Sequence, residues 1–256
     1  MLQRAFGFAT LALLGLALVG CGSEEIGDTE KIFGAPVWTG PETMEYRLRR
    51  QEPIEGYCTY TTEPDGETST LSALCMDAEG EGHRDDTVAI VRTETLDPVS
   101  SERVTINQDS ETRDERLATY NPPAEVIIEL TSIDLSGDED AEHFEAGRDL
   151  PQPTESAPDP GWYDEASLFW LVRGIPLEDG FEGRYANVNI GIARIVGVDV
   201  EVEEMEEVTV PAGTFMTWSI RVESSITNRF WVDVEAPHRV VRARLEDTTF
   251  ELMGWE

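Results

Sequence analysis

Alternation of apolar and polar residues is the main pattern of this chain. It is clearest in residues 196–202, where valine occupies every second position, and it recurs in residues 126–130, 216–222, 230–234 and 241–245. A period of two with one apolar and one polar face is typical of antiparallel strands that are wet on one side. We therefore predict a mainly β fold with a single antiparallel sheet, curved or half-barrel in shape.

One short helix is predicted over residues 164–173. Asp164 and Glu165 place negative charge at its start, and apolar residues then share one face. Gly174 and Pro176 end it, because glycine favours the helix C-terminus and proline cannot continue a helix.

Residues 135–161 are rich in acids and proline and predict a long loop. A loop of this length could separate two domains or be an insertion within one. We favour an insertion within a single β-rich domain over 37–256, since no internal repeat is present.

The N-terminus predicts export and a lipid anchor. Residues 1–20 carry Arg4 and then an apolar run that suits a signal peptide better than a membrane span. The run ends in Leu-Val-Gly before Cys21, which resembles the lipobox of bacterial lipoproteins. The resemblance implies cleavage before Cys21 and acylation of its sulfur. The alternative is an ordinary secretory peptide that leaves Cys21 as a free thiol.

The segment after the cysteine bears on location. Gly22 and Ser23 follow Cys21, so no aspartate is adjacent to it, and resemblance to lipoprotein sorting in double-membraned bacteria then implies the outer membrane of the cell envelope. Residues 21–36 are acidic and contain glycine, and they predict a short tether between the anchor and the domain.

Two further cysteines, Cys58 and Cys75, lie in strand-like segments on either side of a Pro-Asp-Gly turn signal at 64–66. An exported protein meets an oxidising compartment, where such a pair is expected to form a disulfide. Redox or metal chemistry is the alternative, but the sequence has neither a CxxC motif nor a His/Cys cluster.

Charge excludes several partners. The 256 residues include 52 Asp or Glu against 19 Lys or Arg, which gives a formal net charge of −33. Such a chain has no basic surface for nucleic acid and none for docking on anionic lipid.

Motifs for catalysis are missing. The sequence has no HExxH, GxSxG, phosphate-binding loop or dinucleotide-binding glycine pattern. The acids around 138–145 lack the spacing of a calcium loop, and of the three histidines, which include His83, two are predicted to be solvated: His143 in the acidic loop and His238 at a turn. We expect no catalytic residue, metal or cofactor, although a hydrolase that uses two of the many carboxylates stays open.

Four segments carry a family resemblance: 168–177 (LFWLVRGIPL), 207–215 (EVTVPAGTF), 230–232 (FWV) and 237–241 (PHRVV). They resemble an uncharacterised family of exported bacterial β-rich proteins. That family is similar in fold to the Lol-type lipoprotein carriers, in which a half-barrel wraps a helix and leaves an apolar cavity. The resemblance implies a carrier of a lipid or other amphiphile, or a structural role in the envelope.

Two functions follow. A concave sheet could bind a hydrophobic ligand through Trp170, Phe215, Trp218 and Trp231, or these aromatics could simply fill the core. Alternatively, the protein is a structural or interaction module on the cell surface, with an acidic face turned to a protein partner that the sequence does not identify, or to a cation.

Overall fold

The computed structural model describes residues 26–34, 38–50, 54–80, 82–108, 110–135 and 141–256. The signal peptide over 1–20 and the lipidation site at Cys21 lie outside the described residues. Among the residues that are described, no helix is both long enough and apolar enough to cross a membrane.

Fifteen strands within the described ranges form one sheet. In chain order they are β1 (Glu42–Arg49), β2 (Ile54–Asp65), β3 (Thr68–Asp77), β4 (His83–Arg92), β5 (Pro98–Asn107), β6 (Thr112–Asn121), β7 (Glu125–Asp134), β8 (Ala141–Asp149), β9 (Trp162–Asp164), β10 (Glu182–Asn189), β11 (Arg194–Val210), β12 (Gly213–Glu223), β13 (Thr227–Asp233), β14 (Val240–Leu245) and β15 (Thr248–Trp255). The spatial order is β8 to β1 in reverse, then β15 down to β9.

Pairing within this sheet is almost wholly between chain neighbours. All pairs are antiparallel except β9 with β10, and the pairing of β1 with β15 joins the two halves of the chain. The predicted mainly β class and single antiparallel sheet are confirmed. The strands predicted from alternation over 126–130, 196–202, 216–222 and 241–245 lie within β7, β11, β12 and β14.

The predicted helix is confirmed as a single short element with 3₁₀ turns on both sides. It runs from a 3₁₀ turn at Glu165–Ser167 through α1 (Leu168–Leu171) to a second 3₁₀ turn at Val172–Gly174. Asp164 caps the first turn, because its carboxylate accepts a hydrogen bond from the Ala166 amide at 2.7 Å.

The sheet curves around this helix, and Phe169 occupies the centre of the core. Its ring stacks on Tyr60 at a centroid distance of 4.2 Å and meets Tyr46 edge-on at 5.1 Å. Phe230 and Phe250 complete the ring at 5.9 and 5.8 Å. Because these partners come from β1, β2, β13 and β15, burial of one helix side chain holds the middle of the sheet in its curve.

The two ends of the sheet overlap. Tyr120 of β6 stacks on Trp162 of β9 at 5.7 Å, and the Arg148 side chain of β8 donates to the Ala193 carbonyl at 2.8 Å. A second buried cluster joins β6, β7 and β8 to β10 and its following turn. The two ends therefore approach each other through side chains, while the strand order still runs from β8 at one edge to β9 at the other, so the predicted curved sheet is confirmed as one open, barrel-like sheet.

The disulfide prediction is confirmed. Cys58 and Cys75 are bonded, with their Cα atoms 4.0 Å apart. The two residues lie directly opposite each other in the register of β2 and β3, so the bridge crosses one hairpin.

The predicted loop over 135–161 is wrong in part. Residues Ala141–Asp149 form strand β8, which pairs with β7 along its length. Only Ala146 of β8 is buried, so the strand shows no apolar alternation. Backbone pairing with β7 holds this strand in the sheet. Because one face of an edge strand can stay in solvent, its sequence needs no apolar alternation.

The predicted tether over 21–36 is also wrong in part, since residues 26–34 pack onto the domain. Ile32 and Phe33 are buried, and the Phe33 ring meets Tyr163 at 4.7 Å. The amides of Glu30 and Gly34 donate to sheet and helix carbonyls at 2.8 Å. Two adjacent apolar residues in a polar segment were enough to fix it to the core.

Candidate functional site: an inner cavity

The concave side of the sheet encloses a cavity of about 840 Å³ beside the helix. Its apolar wall is built from aromatic rings, with Tyr60, Phe169, Trp170, Phe230 and Phe250 all lining it. This volume is within the range of small-molecule and cofactor sites, which are mostly apolar with a few placed polar groups.

The cavity opens where the β3–β4, β10–β11 and β12–β13 connections meet. Three lining residues at this edge are apolar and exposed: Met76 at 37%, Ile192 at 57% and Ile226 at 44%. Apolar side chains turned to solvent around an opening cost free energy unless an apolar molecule covers them. We define Met76, Ile192 and Ile226 as the apolar rim.

One side of the cavity is polar, and we define Glu165, Tyr185 and Asn187 as the polar wall. Tyr185 and Asn187 alternate along β10 and so project from the same face. The 3₁₀ turn that carries Glu165 packs against this strand. The strand pairing of β10 with β9 therefore brings together residues that are well separated in sequence.

Two of these side chains are buried without internal partners. The Tyr185 hydroxyl and the Asn187 Oδ1 have no hydrogen bond to any described residue, although the side chains are only 1% and 8% exposed. The Trp170 indole nitrogen, also in the cavity wall, is in the same situation. A buried polar group left unpaired costs about 1–3 kcal/mol, so these atoms can hydrogen-bond a bound molecule at a net gain.

Glu165 is the ionisable group of the polar wall. Burial raises the pKa of its carboxyl, and this effect exceeds the opposing attraction of Arg103, while nearby Asp164 raises the pKa further. None of the ion pairs or side-chain hydrogen bonds among the described residues involves Glu165. Its charge is thus available to the cavity.

The neighbouring Asp164 has a structural role. Its carboxylate accepts hydrogen bonds from Ser101, Tyr120 and the Ala166 amide. Burial raises the pKa of Asp164 even against these three donors. Because Ser101 and Tyr120 belong to β5 and β6, Asp164 ties the start of the helix to the overlapping strands.

The charged residues around the cavity are mostly acidic. Six carboxylates and two guanidinium groups line the cavity, which gives the lining a formal charge of −4. The acids are Glu55, Asp77, Asp85, Glu165, Glu246 and Asp247, and the bases are Arg50 and Arg103. Both arginines are already paired. Arg103 Nε lies 3.0 Å from each Asp85 oxygen, and Arg50 lies 3.1 Å from Asp247 and 3.7 Å from Glu55.

Of the four aromatic residues predicted for a ligand site or core, only Trp170 lines the cavity. Trp218 is half-buried on the inner face of β12. Phe215 packs against the core cluster and meets Trp255 at 6.1 Å. Trp231 lies on the outer face, where the Arg242 guanidinium covers its ring at 5.7 Å. Tyr185 and Asn187 were missed, because the sequence of β10 does not show which face of the strand meets a cavity. Glu165 was predicted only as a charge at the start of the helix.

A second group of polar side chains lies outside the cavity. Ligand-type atoms of Glu129, His143 and Glu145 are within 4.8 Å of one another on β7 and β8. They could hold a metal ion, which the sequence did not predict. His143 and Glu145 are exposed at the sheet edge, and no further feature of this site indicates a bound ion.

The chain is similar to the crystal structure of a β-barrel-like protein of a domain of unknown function, DUF1849, from Brucella abortus, with a TM-score of 0.50 and 10% identity over 85% of this chain and 97% of that one. A protein from Bacteroides fragilis, described as exported and with a YmcC-like fold, aligns with a TM-score of 0.31 and 10% identity over 88% and 99% of the two chains.

The first likeness shows the fold alone: this chain has a β-barrel-like fold. No family model matches the sequence, and no curated protein matches it.

Proposed function

We propose that this protein is an exported lipoprotein that binds a lipid or other amphiphile within its curved sheet. The observation that carries the proposal is the cavity of about 840 Å³ with an aromatic wall and an apolar rim. We propose further that a lipid on Cys21 attaches it to the outer membrane of a bacterial cell envelope.

The lipid anchor rests on the sequence around Cys21 and on charge. A protein of net charge −33 is repelled by anionic head groups and has no polybasic segment to overcome this. Covalent acyl chains hold a protein through burial of about 0.8 kcal/mol per CH₂, and two chains anchor stably where one does not. Cys21→Ser should therefore release the protein from membranes, whereas Ser23→Ala should leave it bound.

Ligand binding is supported by the shape and chemistry of the cavity. An alkyl chain packed against Phe169, Phe230 and Phe250 would be transferred from water to an apolar surface. A chain of about 11 methylenes would gain on the order of 8 kcal/mol at about 0.8 kcal/mol per CH₂. The cost of association, at least about 4 kcal/mol, offsets part of this gain, so burial of the alkyl chain alone gives a Kd of roughly 0.1–1 mM.

Soluble protein carrying Cys21→Ala tests this function. Native mass spectrometry should detect a bound amphiphile after purification, and a fluorescent acyl probe should bind at one site per chain. Ile192→Glu together with Ile226→Glu should weaken probe binding, because charge is placed on the apolar rim.

A matched control is available in Met205 and Met216, which are exposed apolar residues outside the cavity lining. Glutamate at these two positions should leave probe binding unchanged. A protein that arrives empty and binds no acyl probe would contradict ligand binding and would favour the interaction module instead. Equal losses in both double variants would show that the probe binds to the outer surface.

A further inference from the structure

We propose that the amphiphile held in the cavity carries a cationic amine head group, bound by Glu165, Asn187 and Tyr185. This inference rests on the proposed function and specifies its ligand. It follows from the hydrogen-bonding groups of the polar wall, the charge balance of the whole cavity lining and the pairing of the two arginines in that lining.

The acceptors of the polar wall match a primary ammonium in number, whereas the unpaired Trp170 indole N–H is a donor that the ammonium does not use. A primary ammonium has three N–H donors and no acceptor. The polar wall offers three acceptors, which are the Glu165 carboxylate, the Asn187 Oδ1 and the Tyr185 hydroxyl oxygen. The last two are buried and have no partner among the described residues, and Glu165 takes part in none of the described ion pairs.

The charge of the lining disfavours the opposite choice. A carboxylate or phosphate head group would enter a cavity whose wall has a formal balance of −4 in a protein of net charge −33. The desolvated head group would then face like charges at low dielectric, where repulsion is poorly screened. A cation placed there is attracted by the same field.

The two arginines offer little to an anionic head group, because each is already neutralised. Arg103 binds Asp85 through both carboxylate oxygens, and Arg50 lies between Glu55 and Asp247. An anionic ligand that recruited Arg103 would have to break its pair with Asp85, whose side chain is only 14% exposed, whereas the pairs of Arg50 are exposed and cost little to break. An ammonium needs no such exchange.

The aromatic wall adds to the same preference. Trp170 and Tyr185 line the cavity beside Glu165, and their ring faces attract cations within about 6 Å by about 0.5–2 kcal/mol. An alkyl chain would then run along Phe169 and Phe230 towards the apolar rim.

Three probes of equal chain length test the inference: dodecylamine, dodecan-1-ol and dodecanoate. Each is titrated calorimetrically into delipidated protein carrying Cys21→Ala, the two ionic probes below their micelle concentrations and dodecan-1-ol below its solubility limit. About 0.3 M NaCl shortens the Debye length to about 5 Å and so suppresses non-specific attraction to the acidic surface. We expect one site per chain, with dodecylamine bound about tenfold more tightly than dodecan-1-ol, as one charge-assisted hydrogen bond would give, and with dodecanoate bound most weakly.

Variants locate the effect. Glu165→Gln should abolish the preference for dodecylamine over dodecan-1-ol. Tyr185→Phe removes one hydroxyl and should weaken amine binding about threefold. Glu204→Gln changes the net charge equally at an exposed position outside the cavity, so it should keep the full amine preference and shows whether surface charge matters.

The outcomes separate the two proposals. Dodecanoate binding as tightly as the amine, or an amine preference that survives Glu165→Gln in a folded variant, would overturn the cationic head group and leave ligand binding intact. If none of the three probes binds, the proposed function fails and this inference fails with it.

Discussion

Arg173 and Glu42 form a bidentate ion pair between the helix and the first strand. Arg173 Nη1 lies 2.7 Å from Glu42 Oε1, and Nη2 lies 3.0 Å from Oε2. The Arg173 side chain is 0% exposed and that of Glu42 is 9% exposed. Arg173 also donates to the carbonyls of Pro237 and His238. One side chain therefore ties the helix, β1 and the β13–β14 turn together.

Loss of the Glu42 charge should be strongly destabilising. Glu42→Gln leaves the Arg173 guanidinium buried without its counter-charge, and breaking such a pair costs about 3–5 kcal/mol. Urea denaturation should show this decrease in the free energy of unfolding. Glu45→Gln is the control, because Glu45 lies on the same strand and is exposed. Equal stability of the two variants would mean that the buried pair contributes nothing.

Phe169 should be the most sensitive position of the core. It contacts aromatic rings from four strands, so Phe169→Ala should lower the free energy of unfolding by about 3–5 kcal/mol. Phe144 on the edge strand β8 is 52% exposed, and Phe144→Ala should change stability by less than about 0.5 kcal/mol. Thermal and urea unfolding of both variants measure the difference. A similar loss in both would contradict a core centred on Phe169.

The disulfide should stabilise the protein without deciding its fold. Cys58 and Cys75 close a loop with a sequence separation of 17, which the chain-entropy model values at about 3 kcal/mol. The paired variant Cys58→Ala/Cys75→Ala should unfold at lower urea with an unchanged circular dichroism spectrum. Reductant should destabilise the parent protein to the same extent and leave this variant unaffected. Loss of β structure in the variant would show that the bridge is needed for folding.

Alternation along the chain predicted strands such as β11 and β12, because burial of one face leaves a periodic record in the sequence. The same reasoning missed β8, where Ala146 is the one buried residue and backbone pairing does the rest. Edge strands of this kind need no apolar face.

The site was less accessible to sequence reasoning. Trp170 was predicted as one of four aromatic residues for a ligand site or core, and it is the one of the four that lines the cavity. The place of Tyr185 and Asn187 in the cavity wall depends on which strands face each other across the curved sheet. Local sequence patterns do not contain this information. Arg173 was expected only as a charge near the helix end, and its partner Glu42 is 131 residues away. Ion pairs between residues so far apart in the sequence depend on the topology of the fold, so local patterns cannot predict them.

The pH dependence of stability should carry a contribution from Glu165. Burial raises the pKa of its carboxyl in the folded protein above the ordinary value of 4.5. Such a group contributes its full stability below the unfolded pKa and loses it as the pH rises through the folded pKa, since the buried carboxylate is then charged. Glutamine at this position cannot ionise.

The free energy of unfolding of Glu165→Gln, relative to the parent, should therefore increase as the pH is raised from about 4.5 and level off above the folded pKa. Urea titrations at a series of pH values measure this difference. Glu204→Gln should show a difference that does not vary with pH, because Glu204 is exposed. A flat profile for Glu165→Gln would mean that Glu165 is solvated in the folded protein.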